Sequence, residues 1–125
     1  MAVLYQNIKL SGSKGEIEKK ALFDGGATYS IIKKELAEKL GHLEMIPTPL
    51  KFRTAKEGSM LEATEAVRLD FYIDGTRFSD EFIVIENLDE EVIIGAKTMQ
   101  SWRFKLDYEN EKVLFDPKVT KLIII

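Results

Sequence analysis

Short apolar segments bounded by turn residues occupy the start of the chain and predict β-strands. Residues 3–10 partly alternate apolar and polar side chains, as a half-buried strand does, and a Ser, Gly and Lys cluster at 11–15 marks a turn. The apolar run 21–23 leads directly into Asp24-Gly25-Gly26. This pattern predicts an internal strand that ends in a tight glycine loop.

One segment, residues 31–40, has the apolar spacing of a helix. Ser30 is placed to cap its start, and Gly41 stands where a C-terminal capping glycine belongs. Pro47 and Pro49 follow and predict a loop. The apolar positions that carry the helix prediction are Ile32, Leu36, Ala37 and Leu40.

From residue 50 to 84 the pattern predicts strands joined by hairpins. Turns are expected near residues 57–59 and at Asp74-Gly75, because Asp-Gly between apolar runs is a strong hairpin signal. Residues 82–85 predict a buried strand, and residues 86–91 predict an acidic loop.

The last third of the chain continues this organisation. Val92-Ile93-Ile94-Gly95 predicts a buried strand that stops at a glycine, and residues 96–102 predict a short helical turn. Residues 104–115 predict a last hairpin around Glu109-Asn110, and Trp102 is expected in the core. We therefore expect one all-β domain, residues 1–125, with one substantial helix.

Composition narrows the function classes. The 45% hydrophobic and 31% charged content is ordinary for a soluble globular protein, and a net charge of −3 favours neither nucleic acid nor an anionic membrane as partner. The absence of cysteine excludes disulfides, thiolate metal sites and a cysteine nucleophile. With no signal-peptide pattern and no apolar run near the roughly 20 residues of a membrane span, the sequence predicts a cytoplasmic protein.

Asp24 is the candidate reactive group. It sits at a predicted strand end, where glycines let the backbone adopt positive φ and let another group come close. A carboxylate held there can accept backbone N–H bonds and face a second carboxylate. Taken alone, however, Asp-Gly-Gly is also an ordinary turn.

The ordered set of motifs resembles the retropepsin-like aspartic proteases. The stretch 22–28, Leu-Phe-Asp-Gly-Gly-Ala-Thr, resembles their active-site loop, Asp-Thr/Ser-Gly-Ala-Thr/Ser. The stretch 92–96, Val-Ile-Ile-Gly-Ala, resembles their second signature, two large apolar residues and a glycine. The predicted hairpin 54–64 stands where that family carries its flap, and the helix 31–40 ending in Leu-Gly resembles the bacterial and archaeal members.

The resemblance implies a closed, dimeric β-barrel of about six strands that cleaves peptide bonds without a metal or organic cofactor. It makes Asp24 catalytic. The other implied site residues are the active-site loop Gly25, Gly26, Ala27 and Thr28, the flap tip Glu57, Gly58 and Ser59, and the structural signature Ile93, Ile94 and Gly95.

Hydrolysis by this route requires two carboxylates that share one proton. One acts as a base on a water and the other donates to the carbonyl oxygen, and two carboxylates so close cannot both ionise. The chain contains one such motif, because Asp74-Gly75-Thr76 lacks the Gly-Ala continuation. The second carboxylate is therefore expected from Asp24 of a second copy, in a two-fold homodimer that binds a peptide or protein substrate.

Gly25 departs from the family pattern, which has Thr or Ser after the aspartate. In the family that hydroxyl hydrogen-bonds across the dimer axis, and each lost bond costs about 1 kcal/mol. The sequence thus indicates an aspartic endopeptidase or, alternatively, a weak or inactive peptidase-like dimer that binds peptides or serves assembly. A third hypothesis is a β-barrel interaction domain in which Asp24 is a turn residue.

For the other polar residues, a capping or solvated role is favoured over a catalytic or ligand-binding one. His42, the single histidine, stands at a predicted helix end, so a Ser-His-Asp or zinc site is disfavoured. The acidic residues of the 86–91 loop are expected to be solvated rather than to bind a cation. The lysines are dispersed among acids and predict no nucleic-acid groove.

The apolar tail, residues 119–125, is strongly β-forming and would be an aggregation hazard as a free edge. It suits a strand inside its own core or, as in viral members, a strand paired with the partner's terminus. A third possibility is that the chain is a fragment of something longer.

Overall fold

A closed barrel of six strands organises the protein. The computed structural model describes residues 3–53 and 59–124. The elements in chain order are β1 (Val3–Gly12), β2 (Gly15–Asp24), β3 (Ile31–Lys33), α1 (Lys34–Leu40), β4 (Glu44–Arg53), β5 (Met60–Ile73), β6 (Thr76–Ile85), β7 (Val92–Ile94), α2 (Ala96–Ser101), β8 (Lys105–Asp107), β9 (Lys112–Leu114) and a 3₁₀ turn (Pro117–Thr120). The strands pair in the order β1-β2-β7-β3-β6-β5, and β5 pairs again with β1 to close the ring.

The barrel closes through a short contact. Three residues of β1, from Lys9 to Ser11, pair antiparallel with three residues of β5, from Tyr72 back to Asp70. The first part of β5, from Met60 to Ala66, pairs with β4, which lies outside the ring as an edge strand. The β4–β5 hairpin thus projects from the barrel, in the place where the sequence predicts the flap.

An aromatic cluster fills the main core. Phe78 is its centre, and its ring centroid lies 4.8–5.4 Å from those of four other aromatic residues: Phe71, Trp102, Phe104 and Phe115. Trp102 also donates from Nε1 to the Ser79 carbonyl at 3.0 Å. Trp102 packs against the core as expected, and the cluster fixes α2 and the β8–β9 hairpin on the barrel.

The prediction that the helix starts at residue 31 is wrong. Residues Ile31–Lys33 form β3, which pairs parallel with β6 and antiparallel with β7, and the helix begins at Lys34. Ser30 is buried and does not cap the helix. Gly41 does lie at the C-cap, and its N–H donates to Ala37, but its φ of −161° is extended rather than left-handed.

The loop expected at Pro47 and Pro49 is also wrong, because both lie inside β4. Proline cannot donate to a ladder, so a strand tolerates it at an edge or a bulge. β4 offers both: it is an edge strand, and its register with β5 shifts between Met45 and Leu50.

Several local predictions are confirmed. The Asp74-Gly75 hairpin has φ of 49° and 81° at its two central residues, the geometry of a type I′ turn. The last hairpin forms as β8 and β9, and the helical turn after Gly95 forms as α2. Residues 57–58 of the expected flap turn lie outside the described residues.

The apolar tail does not enter the core. Leu122, Ile123 and Ile124 are 93%, 78% and 99% exposed, so the expectation of a strand inside its own barrel is wrong. Val119, in the 3₁₀ turn, still packs against the core. Among the described residues, no helix is long and apolar enough to cross a membrane.

The β1–β2 turn is docked on the end of α1, which allows a matched stability test. A Cβ at Gly12 would lie 2.1 Å from the Leu40 carbonyl oxygen, whereas a Cβ at Gly15 would lie 3.7 Å from its nearest neighbour, the carbonyl oxygen of Lys39. We expect Gly12→Ala to lower the free energy of unfolding by about 1–3 kcal/mol through overpacking. Gly15→Ala should change it by less than about 0.5 kcal/mol. Urea denaturation of both variants measures the difference, and equal stabilities would contradict this packing.

Candidate active site

Asp24 is placed by the parallel pairing of β2 with β7. Phe23 is in register with Ile94, and both side chains are fully buried in the main core. Side chains alternate between the two faces of a strand, so Asp24 and Leu22 point to the other face. Asp24 is the last residue of β2 and its side chain is half-buried.

The loop after Asp24 closes on itself. The Gly26 N–H donates to Oδ1 of Asp24 at 2.8 Å, and the Ala27 N–H donates to the Asp24 carbonyl at 3.1 Å. Within the described residues, the other carboxylate oxygen, Oδ2, has no hydrogen-bond partner. Gly25, Gly26 and Thr28 are exposed, and Ala27 is half-buried. The carboxylate is therefore oriented by backbone and retains an oxygen that can act on a ligand.

Gly95 and α2 hold this loop from behind. The Ala96 N–H donates to the Ala27 carbonyl at 2.7 Å, and the Lys97 N–H donates to the Thr28 carbonyl at 3.0 Å. A Cβ at Gly95 would lie 2.3 Å from the carbonyl oxygen of Tyr29. The strand Val92–Ile94 is thus followed by glycine because the loop after Asp24 passes directly over that position.

Ser30 and Thr98 form a buried polar pair beneath the loop, at 2% and 1% exposure. Their hydroxyl oxygens are 2.5 Å apart, and Oγ of Ser30 also accepts the Gly95 N–H at 3.0 Å. The Ser30 carbonyl accepts the Ile83 N–H at 2.9 Å. The expected capping role of Ser30 is wrong, and nothing in the sequence marks Thr98, because a hydroxyl residue carries no local signal of a partner 68 positions away.

A second apolar cluster joins the segment after Asp24 to β4 and β5. Its buried members are Ile31, Ala63, Ala66, Ile83 and Ile85, with half-buried Tyr29, Ile46, Leu50, Phe52, Leu61, Leu88 and Ile93 around them. Tyr29 and Phe52 meet edge to face with ring centroids 5.9 Å apart. Ile93 is in register with Leu22 and shares its face, so it flanks Asp24 rather than the main core.

Comparison with known proteins agrees with this geometry. Residues 15–121 match the family model described as retroviral aspartyl protease. The chain belongs to the retroviral aspartyl protease family. The crystal structure of the retroviral protease-like domain of Ddi1 from Leishmania major superposes with a TM-score of 0.71, covering 93% of this chain and 90% of that one at 21% identity. This likeness shows a shared fold, and nothing in it supports a narrower kinship with bacterial and archaeal members.

Within the retroviral aspartyl protease fold, no other polar side chain of the described residues hydrogen-bonds to the Asp24 carboxylate. His42 is exposed and lines a groove of about 470 Å³ with Ser13 and Arg68. This groove lies near the C-terminal end of β1, whereas Asp24 pairs with Val3 at the N-terminal end of that strand. Two glutamates of the acidic loop, residues 86–91, contact side chains of β1 and β2. Glu90 accepts from Tyr5 at 2.5 Å, which raises the pKa of that phenol, and Glu91 pairs with Lys19 at 3.0 Å. The described residues contain no group of three potential metal ligands.

The predicted site residues are thus partly brought together. Asp24, the 25–28 loop and Gly95 converge, and Ile94 is buried behind them. Ser59 is half-buried and precedes β5, whereas Glu57 and Gly58 lie outside the described residues. The homodimer and the role of the flap stay predictions.

The Ser30–Thr98 pair provides a test of the support beneath the loop. Ser30→Ala leaves the Gly95 N–H and the Thr98 hydroxyl without this buried partner, so we expect a loss of about 1–3 kcal/mol in the free energy of unfolding. Thr98→Val, which conserves volume, should also destabilise. In a double-mutant cycle the two losses should be non-additive. Strict additivity, measured by urea denaturation, would show that the hydroxyls do not interact.

Proposed function

We propose that the protein is an aspartic endopeptidase that hydrolyses peptide bonds at the interface of a homodimer. The observation that carries this proposal is the placement of Asp24. Its carboxylate is held by the Gly26 N–H at the end of β2, half-buried on an otherwise open loop, in a chain of the retroviral aspartyl protease family. That arrangement presents one carboxylate per chain to a partner.

Two copies of Asp24 supply the acid and the base. Asp24 of one protomer, ionised, removes a proton from a water that attacks the scissile carbonyl carbon, while Asp24 of the partner subunit, protonated, donates to the carbonyl oxygen. The tetrahedral intermediate then collapses as a proton passes to the amide nitrogen and the C–N bond breaks. Neither a metal nor an organic cofactor is required.

The proposed substrate is an extended peptide lying across the dimer axis. The second apolar cluster, together with Leu22 and Ile93, provides an apolar wall beside Asp24. Strands β4 and β5 contribute side chains to that wall, and the turn predicted between them, residues 57–59, would cover the substrate as a flap. A peptide bound there adds backbone hydrogen bonds as an extra strand. The cytoplasm is the proposed compartment, since a cysteine-free chain loses nothing under reducing conditions.

Gly25 supports a second candidate function. It is exposed beside Asp24 and has no hydroxyl to bond across a dimer axis. Because looseness of about 1 Å at reacting groups can cost about 100-fold in rate, the same dimer without this bond would bind peptides and cleave them slowly or not at all.

Asp24→Asn tests the peptidase directly. We expect the wild type to cleave a diverse peptide library between about pH 3 and 7, with an optimum set by the shared proton, and the Asn variant to lose this activity. Asp74→Asn is the matched control, because it changes the other Asp-Gly motif and Asn-Gly equally suits a type I′ turn. Library cleavage is read by mass spectrometry. If the wild type is a folded dimer and cleaves no peptide, the result contradicts the peptidase and favours the peptide-binding function.

Gly25→Thr tests whether the missing hydroxyl limits the enzyme. Two restored hydrogen bonds of about 1 kcal/mol each should tighten the dimer by about 30-fold in Kd and raise kcat/KM. Analytical ultracentrifugation and peptide kinetics measure the two effects. If neither quantity changes, the glycine is not the cause of a weak dimer or slow turnover.

A further inference from the structure

Lys97 places a cation beside the candidate active site. It lies in α2, and its Nζ stands 4.8 Å from the centroid of the Tyr29 ring. The residue is exposed, and within the described residues its ammonium group pairs with no carboxylate within 4.0 Å. An ammonium over an aromatic face is attracted by the ring but keeps its capacity to bind an anion.

Backbone and ring contacts place Lys97 next to the loop that follows Asp24. The Lys97 N–H is bonded to the Thr28 carbonyl, so the start of α2 moves with the active-site loop. The Tyr29 ring also meets Phe52 of β4 edge to face, within the second apolar cluster. Lys97 therefore stands where the loop, α2 and the cleft meet.

Two lysines, one on β2 and one on α1, are in contrast paired with carboxylates of this chain. Lys34 pairs with Glu65 at 3.0 Å and with Glu86 at 3.5 Å, and Lys19 pairs with Glu91 at 3.0 Å. Lys97 differs from both because its neighbour is an aromatic ring. A carboxylate from outside the chain would give it the charged partner that these lysines find within it.

We propose that Lys97 and Tyr29 form a subsite for a carboxylate side chain, Asp or Glu, of the substrate peptide. This inference rests on the proposed peptidase function and adds a charge preference to it. The subsite follows Asp24 along the loop, so the acidic residue of the substrate peptide is not adjacent to the scissile bond. The two-fold axis of the proposed dimer creates two such subsites, one on each side of that bond.

Matched peptides that differ only by Glu or Gln at one position test the subsite. We expect the wild type to favour Glu by about two- to fivefold in kcat/KM, the range of a solvent-accessible ion pair, at two positions related by the dimer symmetry. Lys97→Met should abolish the preference, Lys97→Arg should keep it, and Lys97→Glu should reverse it so that the Gln peptide is favoured. Lys105→Met, an exposed lysine on β8, is the control that should leave it unchanged.

The outcomes separate this inference from the peptidase itself. A wild type that cleaves with the same Glu to Gln ratio as Lys97→Met overturns the subsite and leaves the peptidase standing. If no peptide is cleaved, the same pairs are titrated against Asp24→Asn by fluorescence anisotropy. A Glu preference in Kd that depends on Lys97 then supports the subsite without catalysis, whereas equal affinities or no binding overturn it.

Discussion

The parallel pairing of β2 with β7 is the constraint on which the candidate site depends. Phe23 and Ile94 lie side by side in the core, so Leu22, Ile93 and Asp24 must face the opposite side. A slip of one residue would turn Asp24 inward and expose Phe23. The main aromatic core therefore stabilises the barrel and also orients the carboxylate, because burial of Phe23 directs the Asp24 side chain to the opposite face of β2.

Hydrogen bonds then hold the loop that follows Asp24 in one defined conformation. The loop passes over Gly95 so closely that a side chain there would overlap the Tyr29 carbonyl, and α2 bonds to Ala27 and Thr28. The Ser30–Thr98 pair fills the space beneath with groups that satisfy each other. A buried polar network that is fully satisfied adds rigidity, which is the property that a catalytic carboxylate needs.

The two apolar clusters have different roles. The main cluster is closed around Phe78 and holds the barrel, α2 and the last hairpin together. The second includes side chains of β4 and β5, and many of its members are only half-buried. Partly buried apolar side chains beside a carboxylate are what a peptide-binding cleft presents to its ligand. The burial of these two clusters thus separates a closed barrel core from a partly exposed apolar surface.

The sequence by itself determined the elements whose signals are local. The Asp74-Gly75 hairpin, the buried strand before Gly95 and the Asp24 loop follow from turn chemistry, apolar runs and an ordered motif. The tertiary structure decided the features that depend on residues far apart in the sequence.

Residues Ile31–Lys33 suit a helix by spacing and became β3 because strands on both sides pair with them. Ser30 became a buried support rather than a cap because Thr98 and Gly95, more than 60 residues away, reach its hydroxyl. Hydrogen bonds and packing between distant residues leave no periodicity in the chain, so they cannot be read from it.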